Sequence, residues 1–322
     1  MLRRGYSGVR GVVDFSRHSC YLIMVTLEMV DEMKNEKGFY ELIGNARNRD
    51  LTSQDILKAI KPETPKEDKE RLLAWAKEFK FWEGYAKIYW HMEDSGFYEQ
   101  LVETIRWFLE PNEGEVWLDA GCGPARMSQL VWEKSGGRAE KIVGVDIILE
   151  PAQKTLAKLN NSIPLELKWA NLSEKLPFPD DFFDGVVANL SLTYVTDFSG
   201  KTGKAAFEEV MREMFRVLKP GGHIVWSTIK RKPFFWRNYL AGLPDMLSIR
   251  KQFQHRTFGL YIGMRILRYG LGVALKGRKG IYTLLEPKEY EEILVKVGFT
   301  NFKWKKAFAG QAWVNRAEKH RT

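Results

Sequence analysis

The stretch Val116-Trp117-Leu118-Asp119-Ala120-Gly121-Cys122-Gly123-Pro124-Ala125-Arg126 constrains the fold more than any other part of this 322-residue chain. An apolar run ends in an acid, a Gly-x-Gly turn follows, and a helix-like segment comes next. Ala120, Gly121 and Gly123 carry little or no side chain, so backbone there can lie directly against a ligand. About twenty residues on, Ile142-Val143-Gly144-Val145-Asp146 is a second apolar run ending in an acid, and an acid so placed can accept both hydroxyls of a ribose. Two strands, a glycine turn and a terminal acid describe a nucleoside cofactor site on a parallel sheet.

The surroundings extend that pattern. From Glu115 onward apolar runs alternate with amphipathic segments, the mark of a parallel sheet. Strands are predicted at 116–119, 141–146, 165–171, 183–188 and 223–228, with helices at 125–134, 151–159 and 205–218 between them. A helix over 287–297 and a hairpin of 302–308 with 311–317, turning at Ala309 and Gly310, close the chain. Upstream, Thr64-Pro65-Lys66-Glu67 is a capping box with proline at the first helical position, opening a helix to about Trp90. A second helix is predicted near 97–109.

The glycine spacing separates two cofactor classes. Dinucleotide binders favour G-x-G-x-x-G/A, with glycines that admit a pyrophosphate. Here the third position is Arg126, and Asp119 before the turn would repel a phosphate yet suits a cationic ligand. Asp119-x-Gly121-x-Gly123 resembles motif I of the class I S-adenosylmethionine-dependent methyltransferases. Leu176-Pro177-Phe178-Pro179-Asp180, the D-x-V-x-x-x-x-x-L stretch from Asp184, and Val217-Leu218-Lys219-Pro220-Gly221-Gly222 recur in the small-molecule branch of that family. So does the late hairpin. The resemblance covers roughly 82–228 and 285–319.

It implies a Rossmann-like α/β fold: a mostly parallel sheet with an antiparallel C-terminal hairpin, N-terminal helices and a helical insertion after strand five. The implied cofactor is S-adenosyl-L-methionine. By the same resemblance Asp119 would sit near its amino group. Ala120, Gly121, Cys122 and Gly123 would contact its methionine and ribose parts, and Asp146 would accept the ribose hydroxyls. Ile147 would pack on the adenine, Asn171 would accept from the adenine amino group, and Leu172 would offer its backbone N–H to the ring. Asn189 would face the methionine part beside the acceptor. Tyr89 matches the tyrosine of a W-x-x-x-A-x-x-Y segment that approaches the methionine end. Asp146 capping the next helix and Asn171 simply ending a strand are the plainer alternatives. The aromatic stripe from Trp75 to Tyr89 reads first as core packing and second as a roof over the cofactor. His91 and Tyr194 flank the expected acceptor side and are the candidates for a general base; His223 opens a strand and reads as structural. Asn189-Leu190-Ser191-Leu192 lacks the two prolines of enzymes that methylate amino groups of bases, which disfavours that chemistry.

Bulk properties set the rest. Only Cys20 and Cys122 are present, so no disulfide framework is implied and no metal site is expected. No run approaches the ~20 apolar residues needed to cross a bilayer. The divisions expected are 1–40, a poorly specified extension whose first 23 residues need not be authentic; 41–114, a helical cap; 115–228, the cofactor-binding core; 229–284, a basic lid; and 285–322, completing the core. The net charge of +9 is concentrated: Thr228–Leu285 holds twelve bases and one acid, and the remainder is near neutral. There, bases interleave with apolar residues, with Arg265, Arg268, Gly272 and Lys276 on one helical face and Gly263, Gly270 and Gly272 loosening the helix. Such a helix can lie on an anionic membrane, its apolar side inserted. A cytoplasmic, membrane-peripheral methyltransferase acting on a lipid-like small molecule is therefore expected. The alternatives are an RNA methyltransferase that grips phosphates with the insertion and an inactive cofactor-binding partner of another protein.

Overall fold

The computed structural model describes residues 52–93, 95–198, 201–235, 237, 240–241 and 259–321. The 1–40 extension, the residues from 242 to 258 of the insertion and His255 lie outside them. Helices α1 (Ser53–Ala59), α2 (Lys66–Glu93) and α3 (Gly96–Phe108) precede the sheet. Thr52 caps α1 through a reciprocal pair with Asp55. In α3, Tyr98, Leu101, Val102, Ile105 and Phe108 are buried on one stripe, the spacing of a helix laid on a core.

The core then runs β1 (Val116–Ala120), α4 (Arg126–Lys134), β2 (Lys141–Asp146), α5 (Glu150–Lys158), β3 (Leu165–Trp169), β4 (Phe183–Asn189), α6 (Gly203–Val217) and β5 (Leu218–Ile229). Helices α7 (Gly259–Arg278) and α8 (Pro287–Val297) and the hairpin β6 (Phe299–Ala307) and β7 (Ala312–Lys319) complete it. The seven-stranded sheet has the order β3-β2-β1-β4-β5-β7-β6. The first five strands are parallel, and β7 inserts antiparallel between β5 and β6, pairing His223 with Glu318 through Ile229 with Ala312. This is the predicted Rossmann-like sheet. Its strand order reverses beside β1, so a crevice opens at the carboxyl ends of β1 and β4.

Both faces of the sheet are covered, which explains the nearly unbroken apolar runs. Leu118, Val143, Val186 and Ile224 pack with Val210 and Met214 of α6 and Leu294 of α8. Trp117, Ile142, Val187 and Val225 pack with Leu101 and Ile105 of α3, Leu130 of α4 and Val273 of α7. Gly185 is required by this second layer, because a Cβ there would lie 2.4 Å from the buried Trp117 ring. Gly185→Ala should therefore destabilise the fold by about 1–3 kcal/mol through overpacking, read as a lower urea midpoint. An unchanged midpoint would mean that the Trp117 ring has room to move.

Several boundaries differ from expectation. Strand β3 stops at Trp169 rather than Asn171, because Asn171 folds back on itself: its Oδ1 accepts the Ser173 N–H at 3.0 Å. Strand β5 is assigned from Leu218, directly after α6 stops at Val217, and its regular pairing with β4 runs from His223. The hairpin turn includes Phe308, which with Ala309 and Gly310 has positive φ. Two of the glycines expected to loosen α7 instead make room for aromatic rings. Gly270 lies where a Cβ would be 3.3 Å from the Phe235 ring, and Gly272 where it would be 3.2 Å from Phe81. Gly84 on α2 likewise gives way to the Tyr269 hydroxyl. These positions are seats for aromatic rings between α2, α7 and the segment after β5.

Candidate active site

The glycine turn is built from the backbone outward. Gly121 and Cys122 both donate to the Val145 carbonyl, at 2.8 and 3.0 Å, which ties the turn to the end of β2. Gly121 has φ +77, and its missing Cβ would lie 2.4 Å from that of Ser191, whose hydroxyl donates to the Ala120 carbonyl at 2.6 Å. Gly123 has φ +49, and the space where its Cβ would stand is open for 4 Å. Asp146 closes the turn: Oδ2 accepts the Gly123 N–H at 2.9 Å and Oδ1 accepts the Ile148 N–H at 3.0 Å. Each oxygen keeps a second lone pair. Burial raises the Asp146 pKa, against the lowering effect of the Ile148, Gly123 and Ile147 N–H groups. The Ile148 bond lies ahead of α5, whose N-cap Leu149 has no side-chain cap, so Asp146 does not cap that helix.

Two members of the motif have buried side chains beneath the turn. Asp119 is fully buried, its Oδ2 accepting the Ser128 N–H at 2.9 Å and the Ser128 hydroxyl at 2.7 Å. It caps α4 from the strand below, satisfying a backbone donor that a helix N-terminus leaves unmet. Its Oδ1 has no partner, and lost hydration pushes its pKa up to about 7. The carboxylate is sealed beneath the turn rather than open to an amino group. The Cys122 thiol is also buried, with Ala125 and Ala152, and its Sγ lies 3.2 Å from where a Gly144 Cβ would be. Only its backbone belongs to the turn. Burial, then the charges of Asp146 and Asp119, raise the thiol well above its usual pKa.

At the ends of β2 and β3, the Ile147 carbonyl accepts the Trp169 indole N–H at 3.1 Å, which places an aromatic plane at that rim. Leu172 lies against the turn, its Cδ1 3.6 Å from where a Gly121 Cβ would be. At the ends of β4 and β5 the Asn189 side chain is fully engaged. Its Oδ1 accepts the Ser227 hydroxyl at 2.6 Å, and its Nδ2 donates to Tyr98 at 2.9 Å and Tyr89 at 3.2 Å. The two phenols are 2.8 Å apart. Tyr89 and Asn189 thus lie together in one network with Tyr98 and Ser227, two residues that sequence reasoning missed.

Aromatic rings from α2, α7 and the loops after β4 and α7 pack into one cluster around Tyr89. Trp82 stacks on Tyr194 at 5.1 Å, Tyr194 meets Tyr282 at 5.0 Å, and Tyr85 meets Tyr89 and Tyr269 at 5.3 and 5.4 Å. Glu78 gathers the near side, accepting from the Trp82 indole at 3.0 Å, from Lys276 at 2.5 Å and from the Tyr282 hydroxyl. Lys276 also sits over the Phe81 ring at 4.1 Å. It points inward, away from the exposed helical face on which the sequence periodicity put it, because Glu78 and two rings compensate its charge there.

Of the candidate bases, the His91 side chain lies outside the described residues. Tyr194 has its pKa raised well above the usual value by burial, then by Tyr85 and Tyr290, which keeps it a neutral phenol within that cluster. His223 is pushed down to about 4 by burial and lies edge-on to Trp117 within the sheet, in keeping with a structural role. Among the described residues no group of three or more His, Cys, Asp or Glu could hold a metal ion.

The comparisons with known proteins agree with this geometry. Residues 118–226 match a family described as methyltransferase domain. A demethylmenaquinone methyltransferase of Desulfitobacterium hafniense is 31% identical over 135 residues, 41% of this chain and 47% of that protein. A ubiquinone/menaquinone biosynthesis C-methyltransferase of Vibrio vulnificus is 32% identical over 120 residues, 32% of this chain and 42% of that protein. The chain thus matches less than half the length of these relatives. Among solved structures, a SAM dependent methyltransferase from Aquifex aeolicus aligns over 71% of this chain and 92% of that one, at 14% identity and a TM-score of 0.44. The strand order and the glycine turn clamped by Asp146 are in keeping with the family match, which makes residues 118–226 a methyltransferase domain.

Proposed function

We propose that the protein transfers a methyl group from S-adenosylmethionine to a quinone-type lipid acceptor at a membrane surface. The observation that carries the cofactor assignment is the turn. Open space above Gly123 lets a ligand touch backbone, and Asp146 offers two acceptor oxygens beside it. On this reading Asp146 holds the ribose hydroxyls, Ile147 and Leu172 flank the adenine with Asn171 at its edge, and Gly121 and Gly123 line the methionine side. Tyr89 and Asn189 face the reacting end. Asp119 and Cys122 act from beneath, keeping α4 and the turn in place.

S-adenosylmethionine, when bound, supplies a sulfonium methyl already activated for in-line displacement. The protein's own residues then have to orient an acceptor and exclude water. Tyr85, Tyr194 and Tyr282, their pKa values all raised chiefly by burial, present neutral aromatic walls suited to a flat ring. The relatives named for demethylmenaquinone and ubiquinone/menaquinone biosynthesis support that acceptor class. The membrane part rests on α7. Met264, Leu271 and Leu275 are each about half exposed (53%, 49% and 54%), with exposed Arg268 and Arg278 on the same stripe at helical spacing. No described helix is long and apolar enough to cross a membrane.

The test has two arms. S-adenosylhomocysteine titrated calorimetrically should bind at one site. Labelled S-adenosylmethionine should then methylate a reduced, demethylated polyprenyl quinone in vesicles. Binding without transfer would overturn the acceptor class, and no binding would overturn the cofactor. On the membrane arm, Leu271→Ser with Leu275→Ser should weaken co-sedimentation with anionic vesicles severalfold, since each leucine would otherwise bury its exposed apolar half in the interface. Unchanged sedimentation would remove α7 from the membrane contact.

A further inference from the structure

Behind the aromatic wall, a cleft of about 600 Å³ opens between the start of α6, the residues after β5 and the turn that follows α7. Its lining includes Gly203, Lys204, Arg231, Lys232, Arg278 and Thr283. Four cations thus converge on one cavity. The acid nearest them is Glu289, held down to about 2 because Arg231 and Lys204 bond its carboxylate against the cost of burial. Glu286, the other acid close to Arg231, accepts the backbone N–H of Glu289 as the cap of α8. Lys232 and Arg278 have no carboxylate partner among the described residues, so the cleft keeps a positive excess.

Two further features point to what would balance it. Thr283 is 4% exposed, and its hydroxyl has no hydrogen-bond partner although its backbone is fully engaged, the N–H with Thr193 and the carbonyl with Tyr290. A buried hydroxyl is rarely left without a partner. In addition, α6 is a 15-residue helix whose N-terminus lines the cleft. Its Thr202 makes no side-chain cap, and its first turn has no acid. A helix N-terminus without a side-chain cap, unanswered cations and an orphaned hydroxyl are together the donor set of a phosphate site.

We propose that this cleft seats a phosphate group. Arg278 also ends the exposed apolar stripe of α7, so a lipid headgroup phosphate is its natural source. That choice of source rests on the membrane reading above, and a soluble phosphate would draw on the same donors. The site is separate from the glycine turn. It communicates with the acceptor wall through the Thr283 N–H to Thr193 carbonyl bond, one residue from Tyr194.

The test uses the full chain and three variants, Lys232→Gln, Arg278→Gln and Thr283→Val, with Lys158→Gln on α5 as a remote charge control. Probes are inorganic phosphate in calorimetry and phosphatidylcholine vesicles with and without phosphatidic acid in co-sedimentation. Losing one charge-assisted donor should weaken phosphate-dependent binding about tenfold in each cleft variant, with the control and S-adenosylhomocysteine affinity unchanged. Thr283→Val should weaken phosphate binding without lowering the melting temperature. A purely structural hydroxyl would show the reverse. Loss on phosphatidic acid vesicles supports a lipid source. Loss on inorganic phosphate alone, with no vesicle binding by the wild type, keeps the cleft and ends the membrane reading. Wild-type-like vesicle and phosphate binding by all three variants overturns the cleft while leaving that reading intact. No phosphate-dependent binding by the wild type overturns the cleft outright.

Discussion

Asp146→Ala should reduce affinity for S-adenosylhomocysteine by about a hundredfold or more while the chain still folds. The carboxylate is placed to accept two ribose hydroxyls, and each hydrogen bond to a charged group contributes about 1.5–3 kcal/mol. Removing it also orphans the N–H groups of Gly123 and Ile148, which it holds at 2.9 and 3.0 Å. The turn loses one of its ties, but Gly121 and Cys122 remain bonded to the Val145 carbonyl. The affinity loss should therefore exceed the stability loss. Asp146→Asn is the sharper comparison: its oxygen can keep one backbone N–H, while its NH₂ group faces the other, donor against donor. It should bind no better than the alanine variant despite its similar shape. Calorimetric titration beside a thermal melt checks both, and an alanine variant that binds like the wild type would remove Asp146 from the site.

The parts of this site that lie in one stretch of chain were legible in the sequence. The glycine turn, the acid ending β2 and the late hairpin are local patterns, and each follows from the spacing of apolar and small residues. What was not legible depends on contacts between distant segments. Asn189 meets Tyr98 across 91 positions and Ser227 across 38, and nothing in either neighbourhood announces the other. Lys276 has the helical phase of Arg265 and Arg268, yet it turns inward because Glu78, 198 positions earlier, stands opposite. The glycines of α7 read as weak points by composition and became ring seats only once Phe81 and Phe235 were placed. Asp119 is the instructive case. The resemblance located it at the end of β1 and did not foresee its two bonds to Ser128. A serine at the third position of the helix that follows was the available signal, since that N–H needs an acceptor and a strand-end acid can reach it.

That placement gives Asp119 a large pH-dependent term in the stability of this fold between about pH 4 and 7. Its carboxyl titrates near 3.8 when unfolded and is pushed up to about 7 when folded, chiefly by burial. The folded state therefore holds the proton more tightly. The group costs nothing below the unfolded value, and stability is lost as pH rises from about 4 through about 7. At about 1.4 kcal/mol per pKa unit the loss is on the order of a few kcal/mol. Asp146 acts in the same direction, whereas His223, depressed to about 4, loses stability as pH falls below its unfolded value near 6.5. The wild-type profile mixes these with other carboxylates such as Glu289, so the informative quantity is its difference from Asp119→Asn. The amide oxygen can still accept from Ser128, and its NH₂ group replaces the unpartnered Oδ1, leaving a buried donor unmet at a cost of about 1–3 kcal/mol at every pH. Near pH 4–5 the variant should be the less stable protein. Near pH 8, where the wild type must keep a buried carboxylate ionised, the gap should close or reverse. Urea midpoints across that range measure it directly. A difference that stays constant with pH would mean that Asp119 ionises normally and that the cap on α4 is an ordinary carboxylate.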